Sequence, residues 1–292
     1  MSSLLKTVKN YFSLVKFSHT VFAMPFALIG FSLAVSKDEH TFSLKLLLLI
    51  ILCMIFARNA AMGFNRLADN RFDAINPRTS NREIPSGTIS TGAAAMFIII
   101  NSALFIITTG FINRLTLSLS PVALLIILGY SLTKRITALC HFILGLGLSL
   151  APIGAYISVT GYFALLPVIY SLIVITWVSG FDIVYALQDD AFDKTNQLHS
   201  LPSAAGRKRA LMISVLIHMI TFILVLAAGF VGESGLLFWI GVSLFTTLLI
   251  YQHLIVKHGD LSRVTLAFGT TNGIASIILA LFVILDLFIR NR

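Results

Sequence analysis

Apolar residues in this chain come in long runs. Nine stretches carry almost no charge: roughly 17–36, 43–62, 92–112, 116–133, 139–160, 162–181, 210–231, 235–256 and 266–288. A run of about 20 apolar residues, wound as an α-helix, matches the hydrocarbon thickness of a bilayer. The pattern therefore predicts an all-α polytopic membrane bundle of about nine transmembrane helices. No comparable soluble segment is left over, so residues 1–292 are read as one domain. The N-terminal stretch differs from the rest. Leu4, Leu5, Val8, Tyr11, Phe12 and Val15 recur at helical spacing with Lys6, Lys9 and Lys16 between them. That pattern predicts an amphipathic helix within 1–16, lying on the membrane surface.

Composition sharpens this reading. Hydrophobic residues make up 57% of the chain and charged residues only 11%, against roughly a quarter charged in soluble domains. A soluble protein could not hide so much apolar surface, so a soluble enzyme, a disordered chain and a nucleic-acid module are excluded. The net charge of +9 then reflects basic loops facing anionic lipid and the cytoplasm, not nucleic acid. With the N-terminus inside, sixteen of the 21 lysines and arginines fall on the cytoplasmic side and five on the outer side. The expectation is an integral membrane protein of the bacterial inner (plasma) membrane, its polar cavity facing the cytoplasm. Cys53 and Cys140 sit in or beside apolar runs; they form no disulfide framework or zinc site and are read as packing residues.

The polar residues are not scattered. Seven of the twelve acids lie in two segments: Asp69, Asp73 and Glu83 after the second span, and Asp182, Asp189, Asp190 and Asp193 after the sixth. Span ends separated by an even number of crossings share one membrane face. The loop after the fourth span, with Tyr130, Lys134 and Arg135, shares it too. Asn65, Asp69 and Asp73 are four residues apart, so they form one stripe of a helix. Asp182, Tyr185, Asp189 and Asp193 form a second stripe, while Asp190 points off it and is read as solvated.

Two rows of carboxylates repel themselves and call for cations. Oxygen ligands suit a hard divalent ion, Mg²⁺ being the usual one beside phosphates. Arg66, Arg71, Arg78, Arg82, Lys134, Arg135 and Lys194 are interleaved with the acids, a combination that suits a diphosphate gripped by guanidinium groups. Arg207, Lys208 and Arg209 are read as positive-inside charges, and His141 and His199 as structural. Small residues (Ala57, Ala60, Ala61, Gly63, Gly145, Gly147, Ala151, Gly154) are read as close helix packing, and Pro152 as a kink.

These residues match a family. Asn65-Arg66-Leu67-Ala68-Asp69-Asn70-Arg71-Phe72-Asp73 resembles the NxxxDxxxD motif of the UbiA-type intramembrane prenyltransferases. Asn76-Pro77-Arg78-Thr79, Arg82 and Ile84-Pro85-Ser86-Gly87 extend the match. Asp182 to Asp189, with Asp193, resembles the second motif, DxxYAxxDxxxD, and Tyr130 to Lys134 resembles a YxxxK element. Within the family the likeness is greatest to the 4-hydroxybenzoate polyprenyltransferase branch.

The resemblance implies Mg²⁺-dependent transfer from a polyprenyl diphosphate donor to an aromatic acid acceptor, in the bilayer, during quinone biosynthesis. It implies Asn65, Asp69, Asp73, Asp189 and Asp193 as metal ligands. It implies Arg66, Arg78, Arg82, Lys134 and Lys194 as diphosphate ligands, with Asp182, Arg135 and Tyr130 as catalytic residues. Asp182 would orient the acceptor or take its proton, and Arg135 would pair with its carboxylate. The chain also resembles the variants of that branch found alongside a menaquinone route, which implies a dihydroxynaphthoate acceptor as an alternative. The stretch Lys194–Ser200 departs from the usual Lys-Ile-Gly-Ile-Lys-Ser of the 4-hydroxybenzoate enzymes, which bears on the acceptor and not on the metal ligands. The rival class is an ion-coupled transporter, but acids at span ends beside arginines suit phosphate better than a coupling ion.

Overall fold

The computed structural model describes residues 3–15, 22–36, 40–257 and 260–290, the side chains of 3–8 excepted. Residues 17–21 of the first predicted span, and Lys16, Lys37 and Arg292 of the charge count, lie outside the described residues. The described chain is helical: α1 (Ser3–Leu14), α2 (Met24–Ser36), α3 (Leu44–Ala68), α4 (Asn70–Ile75), α5 (Thr91–Gly110), α6 (Arg114–Thr133), α7 (Cys140–Thr160), α8 (Leu165–Ala186), α9 (Asp190–Thr195), α10 (Leu201–Ala205), α11 (Arg207–Val231), α12 (Leu236–Ile255) and α13 (Asn272–Arg290). Extended pairing among the described residues is limited to a single bridge between Lys257 and Asp260.

Eight of these helices are long and apolar enough to cross a membrane, and α2, the ninth apolar one, has only 13 residues. The expected count of about nine therefore holds, with the first member short. Polar side chains start the helices where water or headgroups can compete for backbone N–H groups. Ser43, Ser90 and Asn113 accept from the third residue of α3, α5 and α6, satisfying donors the helix itself cannot.

The bundle closes around α7, which packs on α2, α6 and α8; α8 packs on α11, α12 on α13, and α3 on α5. Trp177, Phe181, Phe26, Phe245 and Tyr156 fill the interior, while Ile99, Leu125, Ile223 and Leu254 face outward. Lipid is as apolar as those side chains, so helices associate by close approach rather than by hydrophobic exclusion. Gly30 shows how close: a Cβ there would stand 2.0 Å from the carbonyl oxygen of Pro152 in α7. Gly145, one of the residues read as packing contacts, does the same for α7 and α8, a Cβ meeting the Ile175 carbonyl at 2.6 Å. Gly147 and Gly154 behave differently. Open space or ordinary contact lies beside them, and both line a cavity.

Residues Ser3–Leu14 form helix α1. Its C-terminal end packs on the segment that follows α4: Leu14 sits with Ile84, Ile89 and Ala94, Tyr11 stacks on Phe97, and the Ser13 hydroxyl donates to Glu83. Phe12 stays exposed.

Candidate active site

The site grows out of the point where α3 ends. The helix breaks at Asp69 for one residue and resumes as α4. Backbone bonds from Asp69 N–H to Asn65 O (2.9 Å) and from Asp73 N–H to Asp69 O (2.8 Å) bridge the break. The stripe of Asn65, Asp69 and Asp73 therefore survives it, and Asn65 Nδ2 donates to Asp69 Oδ2 at 3.2 Å. On the other side α8 tightens into a 3₁₀ turn, Leu187–Asp189, before α9 begins. Asp182, Tyr185, Asp189 and Asp193 nonetheless all reach one cavity, together with Asn65, Asp69 and Asp73.

The two rows meet. Arg78, in the loop after α4, donates from Nε to Asp189 Oδ1 at 3.0 Å and from Nη1 to the Tyr185 hydroxyl at 3.0 Å. Asn76 Nδ2 lies 3.4 Å from the same Asp189 oxygen. Lys134, following α6, places Nζ 2.7 Å from Asp193 Oδ1, and Ser200 Oγ donates to Asp193 Oδ2 at 2.9 Å. Arg82 Nη1 contacts both Asp73 oxygens at 2.7 and 2.8 Å. Arg135 Nη2 donates to the Ala68 carbonyl at 2.5 Å and lies 3.4 Å from Asp69 Oδ1. Each carboxylate that repels its neighbours thus already holds a base.

These pairings set the electrostatics. Burial opposes the charges of Lys134 and Arg78, yet Asp193 and Asp189 outweigh it, holding both bases above their ordinary values. Burial, and then Asp73, push the Asp69 carboxyl up, against the pull of Arg135 and Lys134. Arg66 is buried on the same wall, and its Nε finds no hydrogen-bond partner among the described residues. An orphaned guanidinium donor beside a polar cavity fits an incoming anion.

The donor set is oxygen-rich and contains no sulfur ligand pair. Among the described residues no three acidic, histidine or cysteine side chains converge on one point. That arrangement does not fit a metal caged by protein alone. It fits a hard ion that takes one or two carboxylates from each row and completes its shell with phosphate oxygens.

The polar cavity measures about 620 Å³. Beside it lies an apolar cavity of about 390 Å³ between α3, α5, α6 and α7. Arg58, Met62, Tyr130, Leu144 and Leu148 line both, so a charged chamber opens onto a greasy one. The apolar chamber follows α6 from Tyr130 back to Thr116, about 21 Å of helix. Ala57, Ala61, Gly147 and Gly154, read from sequence as packing contacts, also form its walls.

Most of the sequence-predicted residues come together here. Asn65, Asp69, Asp73, Asp182, Asp189, Asp193, Arg66, Arg78, Arg82, Lys134, Arg135 and Tyr130 all line the polar cavity. Lys194 does not. It is exposed, because one residue beyond the inward-facing Asp193 turns its side chain by about 100°. Asp190 is not solvated: it is buried and held by Arg207 through two bonds of 2.8 Å. Arg207 is therefore more than a positive-inside charge; it ties α9 to the start of α11. His141, read as structural, lines the cavity and bonds Asp182 at 2.7 Å. The one signal for it in the sequence was a polar residue at the start of an apolar run on the acidic face.

Geometry of this kind defines a membrane protein built to hold a charged head and an apolar tail together. Comparison with known proteins agrees. The model of the UbiA prenyltransferase family matches residues 23–282, and the chain belongs to that family. It is 31% identical over 235 residues to a 4-hydroxybenzoate octaprenyltransferase of Aliivibrio salmonicida, spanning 80% of this chain and 81% of that one. It is 28% identical over 247 residues to the protein of the same name from Nitrosospira multiformis, covering 85% and 84%. A UbiA homolog from Aeropyrum pernix K1 superposes with a TM-score of 0.83 at 30% identity, over 92% of this chain and 98% of that one. The fold is also shared with a UbiA homolog from Archaeoglobus fulgidus bound to DMAPP and Mg²⁺, with a TM-score of 0.72 over 96% and 99% of the chains at 20% identity.

Proposed function

We propose that this protein transfers a polyprenyl group from a polyprenyl diphosphate to a hydroxylated aromatic acid of the 4-hydroxybenzoate kind, with Mg²⁺, in quinone biosynthesis. The observation that carries this reading is the junction at Tyr130, Arg58 and Leu148, where the acid-and-base chamber meets the apolar one. A diphosphate needs the first and an isoprenoid chain needs the second. We place the protein in a bacterial inner membrane with the chamber toward the cytoplasm and the N-terminus inside. The sixteen-to-five distribution of basic residues supports that orientation, and α1 then rests at the interface on the same side.

In this reading Asn65, Asp69 and Asp73 hold metal on one wall, and Asp189 and Asp193 on the other. Bound Mg²⁺ supplies charge neutralisation on the leaving diphosphate. Arg66, Arg78, Arg82 and Lys134 grip its oxygens. For Arg78 and Lys134 that means exchanging a carboxylate partner for phosphate, and bound Mg²⁺ would offset the carboxylates so released. The donor's allylic C–O bond then ionises with the developing anion already solvated by fixed groups. The apolar walls keep water from the carbocation, and Tyr130 stands at the junction where it forms. The acceptor's ring carbon attacks, and its proton leaves toward Asp182. Arg135, anchored on the end of α3, lies within the same chamber to face the acceptor carboxylate.

The test is direct. Membranes containing the protein are incubated with labelled polyprenyl diphosphate and either 4-hydroxybenzoate or a dihydroxynaphthoate, with and without Mg²⁺. A metal-dependent prenylated aromatic product is expected. No product with any aromatic acid would overturn the reading, since an ion-coupled transporter forms no carbon–carbon bond. Within this assay Lys134→Ala is expected to raise the donor KM about tenfold, the equivalent of one lost charged hydrogen bond. An unchanged KM would reduce Lys134 to a partner of Asp193 alone.

A further inference from the structure

Asp182 has a neighbour whose geometry has a consequence for the reaction. His141 opens α7, and its side chain is 2% exposed against 20% for Asp182. Its Nδ1 lies 2.7 Å from Asp182 Oδ2. Its Nε2 receives the backbone N–H of Leu201, the first residue of α10, at 3.2 Å. A backbone amide can only donate, so Nε2 carries the lone pair and the ring proton sits on Nδ1, aimed at the carboxylate. The backbone of His141 is held as well: Ser179 Oγ donates to its carbonyl at 3.2 Å. The ring is thus fixed from three helices, α7, α8 and α10. Asp182 Oδ1 receives no hydrogen bond among the described residues, and Asp182 lines the polar cavity.

We propose that His141 is a positioning residue that holds Asp182 as an oriented carboxylate, one oxygen tied to the imidazole and the other presented to the aromatic acceptor. The Nδ1–H bond removes the freedom of Asp182 to rotate toward the bases of the chamber. Oδ1 is then the atom that takes a phenolic hydrogen bond or the departing ring proton. The inference rests on the reading of Asp182 as the acceptor-facing group.

Five variants test it, with 4-hydroxybenzoate as the acceptor and both KM values measured. His141→Leu is expected to lower kcat/KM for the acceptor about 10–100-fold, as loss of an outer-shell partner does elsewhere, with the donor KM unchanged. His141→Asn, whose amide can donate near the Nδ1 position, is expected to recover most of that loss. His141→Gln, whose amide reaches toward the Leu201 side instead, is expected to recover less. In an Asp182→Ala background, His141→Leu is expected to cost nothing further, because it acts through the missing carboxylate.

Additive losses in the double variant, or wild-type kinetics in His141→Leu, would overturn the proposal while leaving Asp182 in its role. If Asp182→Ala alone keeps wild-type acceptor kinetics, the fault lies in the reading of Asp182 itself. Should His141→Leu fail to accumulate, the order of the Asn and Gln variants decides, and Gln equal to or better than Asn overturns the proposal.

Discussion

Replacing Asp189 with alanine is expected to reduce prenyl transfer about 10³-fold or more, through loss of a group that acts on the developing charge of the leaving diphosphate. The carboxylate accepts from Arg78 and Asn76 of the loop across the chamber, and Arg78 also donates to Tyr185. Its removal frees Arg78, so the variant should bind free diphosphate no worse than wild type while failing to turn over. Asp69→Ala is expected to have the same phenotype from the opposite wall. Measuring turnover alongside diphosphate affinity separates this outcome from simple unfolding, which would abolish both. Full activity in either variant would show that the two rows are not the metal-binding walls.

A second large effect is expected far from the chemistry. Gly30→Ala adds one methyl group where the Pro152 carbonyl oxygen leaves none of the required space. A backbone atom cannot rotate away as a side chain can, so α2 and α7 must separate. Overpacking of this kind costs about 3 kcal/mol, and the opened seam also loosens Phe26 and Trp177 behind it, whose rings meet at a tilt with centroids 5.3 Å apart. A marked fall in the thermal midpoint of the detergent-solubilised protein is the expected reading. A midpoint equal to wild type would mean that the two helices do not approach this closely in the membrane.

The rows of acids were legible from the chain because helical spacing is local: residues four apart share a face whatever the rest of the protein does. Their meeting on one membrane face followed from counting crossings. Pairings across elements left no such trace. Nothing within a few residues of Asp190 announces Arg207, 17 positions later, and nothing beside His141 announces Asp182, 41 positions on. Lys194 failed for the opposite reason: proximity in sequence to Asp193 does not survive a turn of about 100°. The greasy chamber was hidden because small residues look alike whether a neighbouring helix or an empty volume lies against them. Gly145 and Gly154 show both outcomes on one helix.

The self-neutralised chamber bears on how the protein lives between turnovers. Because Asp69, Asp73, Asp189 and Asp193 each already have an arginine or lysine beside them, the fold does not depend on a bound ion to tolerate so many like charges at the edge of a bilayer. Chelation is therefore expected to silence the enzyme while leaving its melting behaviour intact, and adding the ion back restores it. Assembly and loading are separate events, and a newly inserted chain can wait, fully built, for its first substrate to arrive with metal.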